Sequence, residues 1–97
     1  MAGYLIVTIQ SISDLEKIQE YRKQAWPTIE KFGGQSLITP RGRHEYVEGE
    51  KAAGMVVYRF PTYEQAVEWY NSPEYRAAAK IRHGIADVRI VIAEGAD

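Results

Sequence analysis

The first apolar segment, which runs from Tyr4 to Ile9, places the strongest constraint on the fold. It is rich in β-branched residues and too short to show a helical repeat, so it predicts a β-strand. Its apolar side chains occupy both alternating faces, with Ile6 on one and Leu5 and Val7 on the other. Strands of this kind occur in sheets that are covered on both sides. We therefore expect helices on one face of the sheet and a further partner on the other.

A helical pattern follows this strand. Ser13 or Asp14 is placed to cap the N-terminus of the helix, and apolar residues then recur at helical spacing. The apolar positions are Leu15, Ile18, Ala25, Ile29 and Phe32, and Arg22 interrupts them. Pro27 predicts a kink or a restart because it lacks an amide donor and crowds the preceding turn. Gly33 and Gly34 predict a left-handed end to the helix.

Two strands are predicted in the middle of the chain, over Gln35 to Thr39 and over Met55 to Phe60. Residues 40–43 between them have the composition of a turn. The segment from His44 to Glu48 predicts a short extended return that ends at Gly49.

Helical spacing returns after the strand that ends at Phe60. Thr62 and Gln65 form the pattern of a capping box at the start of a second helix. The apolar face of that helix consists of Tyr63, Ala66, Val67 and Tyr70. Because the residue before a proline is disfavoured in the α region, Pro73 ends this helix, and Ser72 is a good cap for a new one. The new helix groups Tyr75, Ala78, Ala79 and Arg82 on one face.

A last strand is predicted over Val88 to Ala93, so the element order is β-α-β-β-α-β with a split last helix. This order predicts an α+β fold of the ferredoxin-like type, with an antiparallel sheet and helices on one face. No repeat or linker interrupts it, and residues 1–97 are expected to form a single domain. A second apolar sheet face needs a cover, which predicts a symmetric homodimer.

Charge and composition argue against several classes of partner. The chain carries 12 basic and 13 acidic residues, for a formal net charge of −1, which predicts binding neither to nucleic acid nor to an anionic membrane. Without cysteine it has no disulfide, no thiolate nucleophile and no cysteine-based zinc site. No segment approaches the roughly 20 apolar residues of a membrane span, and no signal-peptide pattern is present. We expect a cytoplasmic protein.

The stretch from Tyr70 to His83 contains the strongest candidates for chemistry. The planar fork of donors on Arg82 could hold a carboxylate or another anion, or it could instead complement the helix C-terminus or pair with Glu74 or Asp87. His83 is a candidate general base, although a histidine at the end of a helix is more often a capping or surface residue.

Aromatic side chains are abundant for so short a chain. Large rings most often form the core of a small domain, yet buried phenol and indole groups need hydrogen-bond partners. These rings could also line a pocket between the helices and the sheet. Tyr4, Trp26 and Tyr70 are therefore predicted to bind a substrate together with Arg82.

A metal site would require His44, His83 and a carboxylate such as Glu45 to converge, and nothing in their spacing demands this. The glycines fit turns and do not form a phosphate-binding pattern. We expect neither a metal nor an organic cofactor.

The full pattern resembles one known family. The residues that carry the resemblance are Gly33-Gly34, Glu48-Gly49, Phe60-Pro61, Ala66, Trp69-Tyr70, Ser72-Pro73-Glu74-Tyr75 and Arg82. Together they resemble the domain of unknown function 1330 family, within the dimeric α+β barrel group, although Arg76 departs from the glutamine usual in that family. The resemblance implies a dimeric barrel and no agreed activity. Related barrel families include cofactor-independent monooxygenases of aromatic polyketides, lactone isomerases and haem-binding proteins.

Two functional hypotheses follow. The first is a small dimeric protein that binds a small aromatic or carboxylate-bearing molecule. The alternative is a cofactor-independent oxygenase or isomerase acting on an aromatic or enolisable acid, in which His83 or a tyrosine moves a proton and Arg82 holds an anionic oxygen. In a third and purely structural reading, the chain is only a dimerisation module, which is less attractive for a single short domain.

Overall fold

Four strands and three helices form the fold in a computed structural model that describes residues 1–96. In chain order they are β1 (Gly3–Ile12), α1 (Leu15–Lys31), β2 (Gln35–Ile38), β3 (Gly54–Phe60), α2 (Tyr63–Asn71), α3 (Pro73–Arg82) and β4 (Ala86–Glu94). The predicted order, with its split last helix, is confirmed. No helix within residues 1–96 combines the length and the apolar content needed to cross a membrane.

The strands form one antiparallel sheet in the order β2-β3-β1-β4, as in ferredoxin-like folds. The first apolar segment lies at its centre, where Ile6 is paired with Val57 on one side and with Val91 on the other. Its neighbour Val7 is paired with Val56 and Ile90 in the same way. This register places the two sets of apolar side chains on opposite faces of the sheet.

The two faces have different surroundings. On the inner face, Leu5 belongs to the buried core, and Val7 and Ile90 pack against that core. On the outer face, Ile6 and Val57 are only half-buried and Val91 is 54% exposed. The prediction that the helices leave one apolar face of the sheet uncovered is confirmed for the single chain.

The first helix begins at a side-chain cap, since the carboxylate of Asp14 accepts a hydrogen bond from the N–H of Lys17 at 3.1 Å. It then runs without a break to Lys31, although Pro27 lies within it. Of the two alternatives predicted at Pro27, a kink or a restart, the restart is therefore wrong. Proline removes only the hydrogen bond to the carbonyl of residue 23, and Lys23 is exposed, so water can satisfy that carbonyl.

The end of α1 is a Schellman motif, as the glycine pair predicted. The N–H of Gly33 donates to the carbonyl of Glu30 at 3.0 Å, and the N–H of Gly34 donates to that of Ile29 at 2.8 Å. Gly33 has a φ of +85°, a left-handed conformation that other residues adopt at a cost. A Cβ atom on Gly34 would collide with the side chain of Ile29.

Ser72 serves two helices at once. Its hydroxyl accepts from the N–H of Tyr75 at 3.2 Å, which caps α3, and donates to the carbonyl of Trp69 at 2.8 Å, which satisfies the end of α2. The backbone of Ser72 is extended and Pro73 occupies the first position of α3. The predicted termination and restart are confirmed.

Residues 39–53, between β2 and β3, form neither helix nor strand. The short extended return predicted over His44 to Glu48 is therefore wrong. Val47 is 82% exposed, and the ring of His44 makes a local hydrogen bond through Nδ1 to the carbonyl of Gly42 at 2.8 Å. An exposed and mostly polar segment gains little from pairing, because packed cross-strand side chains supply most of the stability of a sheet.

Candidate functional site

A cavity of about 620 Å³ lies between α1, α3 and the inner face of the sheet. The backbone of α1 packs mainly against α3, while Ala25 and Ile29 join Leu5 and Phe60 of the sheet in the core. Two small residues of α3, Ala78 and Ala79, are fully buried and keep that face of the helix thin. Leu5, Val7 and Val56 supply apolar walls from the sheet.

Three polar groups meet at the cavity. The hydroxyl oxygens of Tyr21 on α1 and Tyr75 on α3 lie 2.8 Å apart. The guanidinium of Arg82 donates to the hydroxyl of Tyr75 from both Nε and one terminal nitrogen, each at 3.4 Å. All three residues line the cavity, and Arg82 is only 8% exposed. We refer to this set as the Tyr21–Tyr75–Arg82 cluster.

The position of Tyr75 is determined by aromatic packing. Its ring lies 4.1 Å from that of Trp69, and both side chains are buried. The indole N–H of Trp69 donates to the hydroxyl of Thr28 at 2.9 Å, and Thr28 in turn donates to the carbonyl of Ala25 at 2.6 Å. The indole N–H of Trp69 and the hydroxyl of Thr28 thus both have acceptors, and this series of hydrogen bonds links α1 to α2 beneath the cluster.

Burial changes the acid–base properties of the cluster. Removal from water, reinforced by the neighbouring Tyr75, raises the pKa of Tyr21 far above its usual value, even though Arg82 acts to lower it. Burial also opposes the charged form of Arg82, but its hydrogen bond to Tyr75 and the nearby phenols outweigh this, and the pKa of Arg82 is raised. At neutral pH Tyr21 is therefore a neutral phenol beside the Arg82 cation.

The rim of the cavity is formed by α1 and the segment that follows β2. The ring of Trp26 is 38% exposed and lies 6.0 Å from that of Tyr58 on β3. Arg22 on α1 and Arg41 after β2 are exposed and also line the cavity. Burial raises the pKa of Tyr58, and the charge of Arg22 acts to lower it, which places that arginine near the phenol.

Three arginines give the lining of the cavity a positive charge. Arg22, Arg41 and Arg82 line it, and no aspartate or glutamate among residues 1–96 does so. Within residues 1–96, Arg82 forms no ion pair, and Glu74, one of the partners considered for it, pairs with Lys31 instead. A buried guanidinium without a carboxylate partner favours a ligand that brings a negative charge or an acceptor oxygen.

The structure brings together some of the sequence-predicted site residues and separates others. Arg82 and Trp26 both line the cavity. Tyr4 lies on the outer face of the sheet, where it is paired with Arg59 and Ala93.

The two remaining candidates also lie outside the cavity. Tyr70 packs against the rings of Trp69 and Tyr75 and against the guanidinium of Arg76, 4.2 Å from its ring centre, and it is not a lining residue. His83 is exposed at the C-terminus of α3 and does not line the cavity.

Tyr21 and Tyr75 are among the aromatic residues that could line a pocket, but the sequence did not distinguish them as substrate-binding residues. The signal for Tyr75 was its position seven residues before Arg82 on the same face of α3. The signal for Arg22 was its interruption of the apolar stripe of α1. Tyr21 had no comparable signal, because its partner Tyr75 lies 54 residues away.

His44 and Glu45 line a second, smaller cavity beside Tyr46, and His83 is not among its lining residues. Within residues 1–96, no three histidine, aspartate or glutamate side chains converge as a set that could hold a metal ion.

The fold is similar to solved structures from several organisms. A protein of unknown function from Rhodopseudomonas palustris has a TM-score of 0.75 and 17% identity, with 99% of this chain and 83% of that one covered. A dimeric ferredoxin-like protein of unknown function from Jannaschia has a TM-score of 0.73 and 11% identity, over 98% and 100% of the two chains. An antibiotic biosynthesis monooxygenase has a TM-score of 0.55 and 11% identity over the full length of both. At these identities the similarity shows the fold alone.

The Jannaschia protein and two further structural neighbours, from Thermobifida fusca and Bacteroides fragilis, are described as dimeric. No curated protein matches the sequence significantly. The sequence model of one family, described as a domain of unknown function (DUF1330), matches residues 2–96. The glycine pair after α1, the Ser-Pro break between α2 and α3, and the buried Arg82 thus occur in a chain that belongs to the DUF1330 family.

Proposed function

We propose that this protein is a homodimer that binds a small aromatic or carboxylate-bearing molecule in the cavity beneath α1. The observation that carries the proposal is the buried Arg82, which lines a mainly apolar cavity and pairs with no carboxylate within residues 1–96. Burying a cation costs free energy unless an anion or several acceptors compensate for it. A bound acid would supply that compensation.

The dimensions of the cavity agree with this proposal. Binding sites for small molecules have volumes of roughly 300–1,000 Å³ and apolar walls with a few polar groups. The cavity of about 620 Å³ falls within that range. Its sheet-side walls, such as Val7 and Val56, suit an apolar body, and the Tyr21–Tyr75–Arg82 cluster suits an oxygen-bearing head group.

The homodimer is supported by the outer face of the sheet. Ile6, Val57 and Val91 lie side by side there, and the last of these is 54% exposed in the single chain. Two such faces packed together would remove this apolar patch from water. The dimeric assemblies described for several structural neighbours agree with this proposal.

Thermal unfolding of the purified protein tests the binding proposal. Cinnamate, benzoate and decanoate serve as probes at millimolar concentration. A ligand present at about a hundred times its Kd stabilises the folded state by about 2.7 kcal/mol, which raises the Tm of a chain of this size by about 10 °C. We expect at least one acid to produce a shift of this order, and the absence of any shift across the three would contradict the proposal.

Matched variants of α3 assign the effect to the cavity. Arg82→Met keeps an unbranched apolar side chain and removes the charge, and we expect it to abolish the shift. Arg76→Met is the control, because Arg76 lies on the same helix, packs on Tyr70 and does not line the cavity. An equal loss in both variants would show that the shift does not report binding at Arg82.

The same cavity supports a second candidate, an enzyme acting on an enolisable aromatic acid. Arg82 and Tyr21 line the cavity, and donors of this kind can stabilise an enolate oxygen. The similar fold of an antibiotic biosynthesis monooxygenase supports an oxygenase only by analogy. Phenylpyruvate in deuterated buffer tests for proton abstraction by nuclear magnetic resonance, and an oxygen electrode tests for oxygen uptake. Rates equal to those of buffer in both assays would leave binding as the function.

A further inference from the structure

We infer that Tyr21 is the ligand-facing end of a directed hydrogen-bond relay from Arg82 through Tyr75, and that this relay makes the cavity select a carboxylate over an alcohol of the same shape. The inference rests on the proposed binding function and adds to it a specificity-determining residue and a rule for the head group.

The direction of the relay follows from the chemistry of its members. A guanidinium carries only donors, so both contacts from Arg82 to the hydroxyl of Tyr75 are donated by the arginine. Both contacts use the acceptor capacity of the Tyr75 oxygen, so Tyr75 is the better donor of the two phenols. The 2.8 Å separation of the two hydroxyl oxygens fits either direction, and we assign the proton of Tyr75 to the oxygen of Tyr21 on this ground.

This arrangement leaves the proton of Tyr21 free. Its oxygen accepts from Tyr75, and its own O–H has no acceptor among the protein groups of residues 1–96. Because Tyr21 lines the cavity, that O–H can be donated to a bound molecule. The positive charge of Arg82 polarises the chain of hydrogen bonds and strengthens the last donor.

Arg82 adds further donors of the same kind. Of the five N–H groups that a guanidinium carries, two donate to Tyr75, and Arg82 also interacts with the phenol of Tyr21, which leaves further N–H groups for a ligand. Within residues 1–96, the head-group end of the cavity thus offers donors and no carboxylate acceptor. A carboxylate, which only accepts, can satisfy such a site, whereas the O–H of an alcohol would have to compete with donors already present.

The test compares cinnamate with cinnamyl alcohol, which share one apolar body and differ in the head group. Calorimetric titration gives the Kd of each for the wild-type protein. We expect cinnamate to bind at least about tenfold more tightly, the difference expected for one hydrogen bond to a charged group. This ratio is measured on the unaltered protein and does not depend on how well any variant folds.

Variants then assign the selectivity to the relay. Tyr21→Phe removes the free O–H, and we expect the preference for cinnamate to fall by about tenfold while the Kd of cinnamyl alcohol changes little. Tyr75→Phe interrupts the relay and should lower the preference in the same direction. Tyr63→Phe is the control, since Tyr63 lies on α2, is 37% exposed and does not line the cavity.

The possible results are distinct. If neither cinnamate nor cinnamyl alcohol binds the wild-type protein, both the relay and the proposed binding of aromatic acids are overturned. If both bind with similar Kd values, or if Tyr21→Phe leaves their ratio unchanged, the relay is overturned and the proposed function stands. A preference for the acid that is reduced in Tyr21→Phe and in Tyr75→Phe but retained in Tyr63→Phe supports the inference.

Discussion

At the scale of single residues, the features of this protein depend on how buried polar groups are satisfied. The indole of Trp69, the hydroxyl of Thr28 and the hydroxyl of Ser72 each have a hydrogen-bond acceptor inside the protein. Arg82 differs from them, because its hydrogen bonds go to a phenol and its charge has no counter-ion within residues 1–96. Such an imbalance is more typical of a binding site than of a structural core.

The raised pKa of Tyr21 predicts a loss of stability at alkaline pH. In the unfolded chain a tyrosine releases its proton near about pH 10, whereas burial and Tyr75 keep the native phenol protonated at higher pH. The contribution of Tyr21 is therefore complete below about pH 10 and declines as the pH rises above it, by up to about 1.4 kcal/mol per pH unit. Tyr58, whose pKa burial also raises, acts in the same direction.

Urea unfolding at several pH values between about 9 and about 12 measures this decline. We expect the free energy of unfolding of Tyr21→Phe to fall less steeply with pH than that of the wild-type protein, because only Tyr58 of the two phenols with a raised pKa remains. Tyr63→Phe, at an exposed position, should retain the wild-type slope. Identical slopes in all three proteins would show that Tyr21 titrates at the same pH in the folded and unfolded chains.

At the scale of secondary-structure elements, the ends of the helices are determined locally. Asp14, Thr62 and Ser72 each cap the helix that follows them by accepting a backbone N–H. These contacts involve residues three positions apart, and local sequence is therefore sufficient to predict them. The end of α1 is also determined locally, because the N–H groups of the glycine pair donate to carbonyls of the last helical turn. The chain then enters β2 at Gln35.

Gly33→Ala is expected to destabilise the protein by about 1–2 kcal/mol, the cost of placing a residue with a Cβ in the left-handed conformation. The new Cβ would also lie 3.0 Å from two ring carbons of Pro61. Gly42→Ala is the matched control, because the nearest atom to its Cβ is 3.6 Å away and its φ is not positive. Urea unfolding measures both variants, and equal stabilities would contradict a requirement for glycine at the end of α1.

At the scale of the whole molecule, two apolar regions remain after the helices have packed. One is the cavity that α1 leaves above the sheet by packing against α3. The other is the outer face around Ile6, Val57 and Val91. We assign the first to a ligand and the second to another copy of the chain, so each region is accounted for by a different kind of partner.

Val91→Lys tests the assignment of the outer face. In a dimer packed through this face, the substitution would bury an unpaired ammonium, and we expect the dissociation constant to rise at least about a hundredfold. Val47→Lys introduces the same change at an 82% exposed position between β2 and β3 and should leave the dimer intact. Sedimentation equilibrium distinguishes these outcomes. A monomeric wild-type protein would contradict the proposed homodimer. A Val91→Lys variant that remains dimeric would show that the interface lies on another face.

Much of the fold could be read from local patterns. The order of strands and helices, the end of α1 at Gly33 and the break at Ser72 all follow from residues close together in sequence. The predicted restart at Pro27 and the predicted strand over His44 to Glu48 were wrong, and both lie in exposed parts of the chain. Water can satisfy the carbonyl that Pro27 leaves without a donor, and an exposed polar segment gains little stability from strand pairing.

The sequence by itself therefore determined the elements, their faces and the location of Arg82 on the buried face of α3. Only the tertiary structure decided that Tyr21 meets Tyr75, that Tyr4 lies on the outer face, and that a cavity separates α1 from the sheet. The physical reason is that periodicity reports which residues share a face of one element. It contains no information on how far apart two elements pack, because that distance depends on side chains from several distant segments at once.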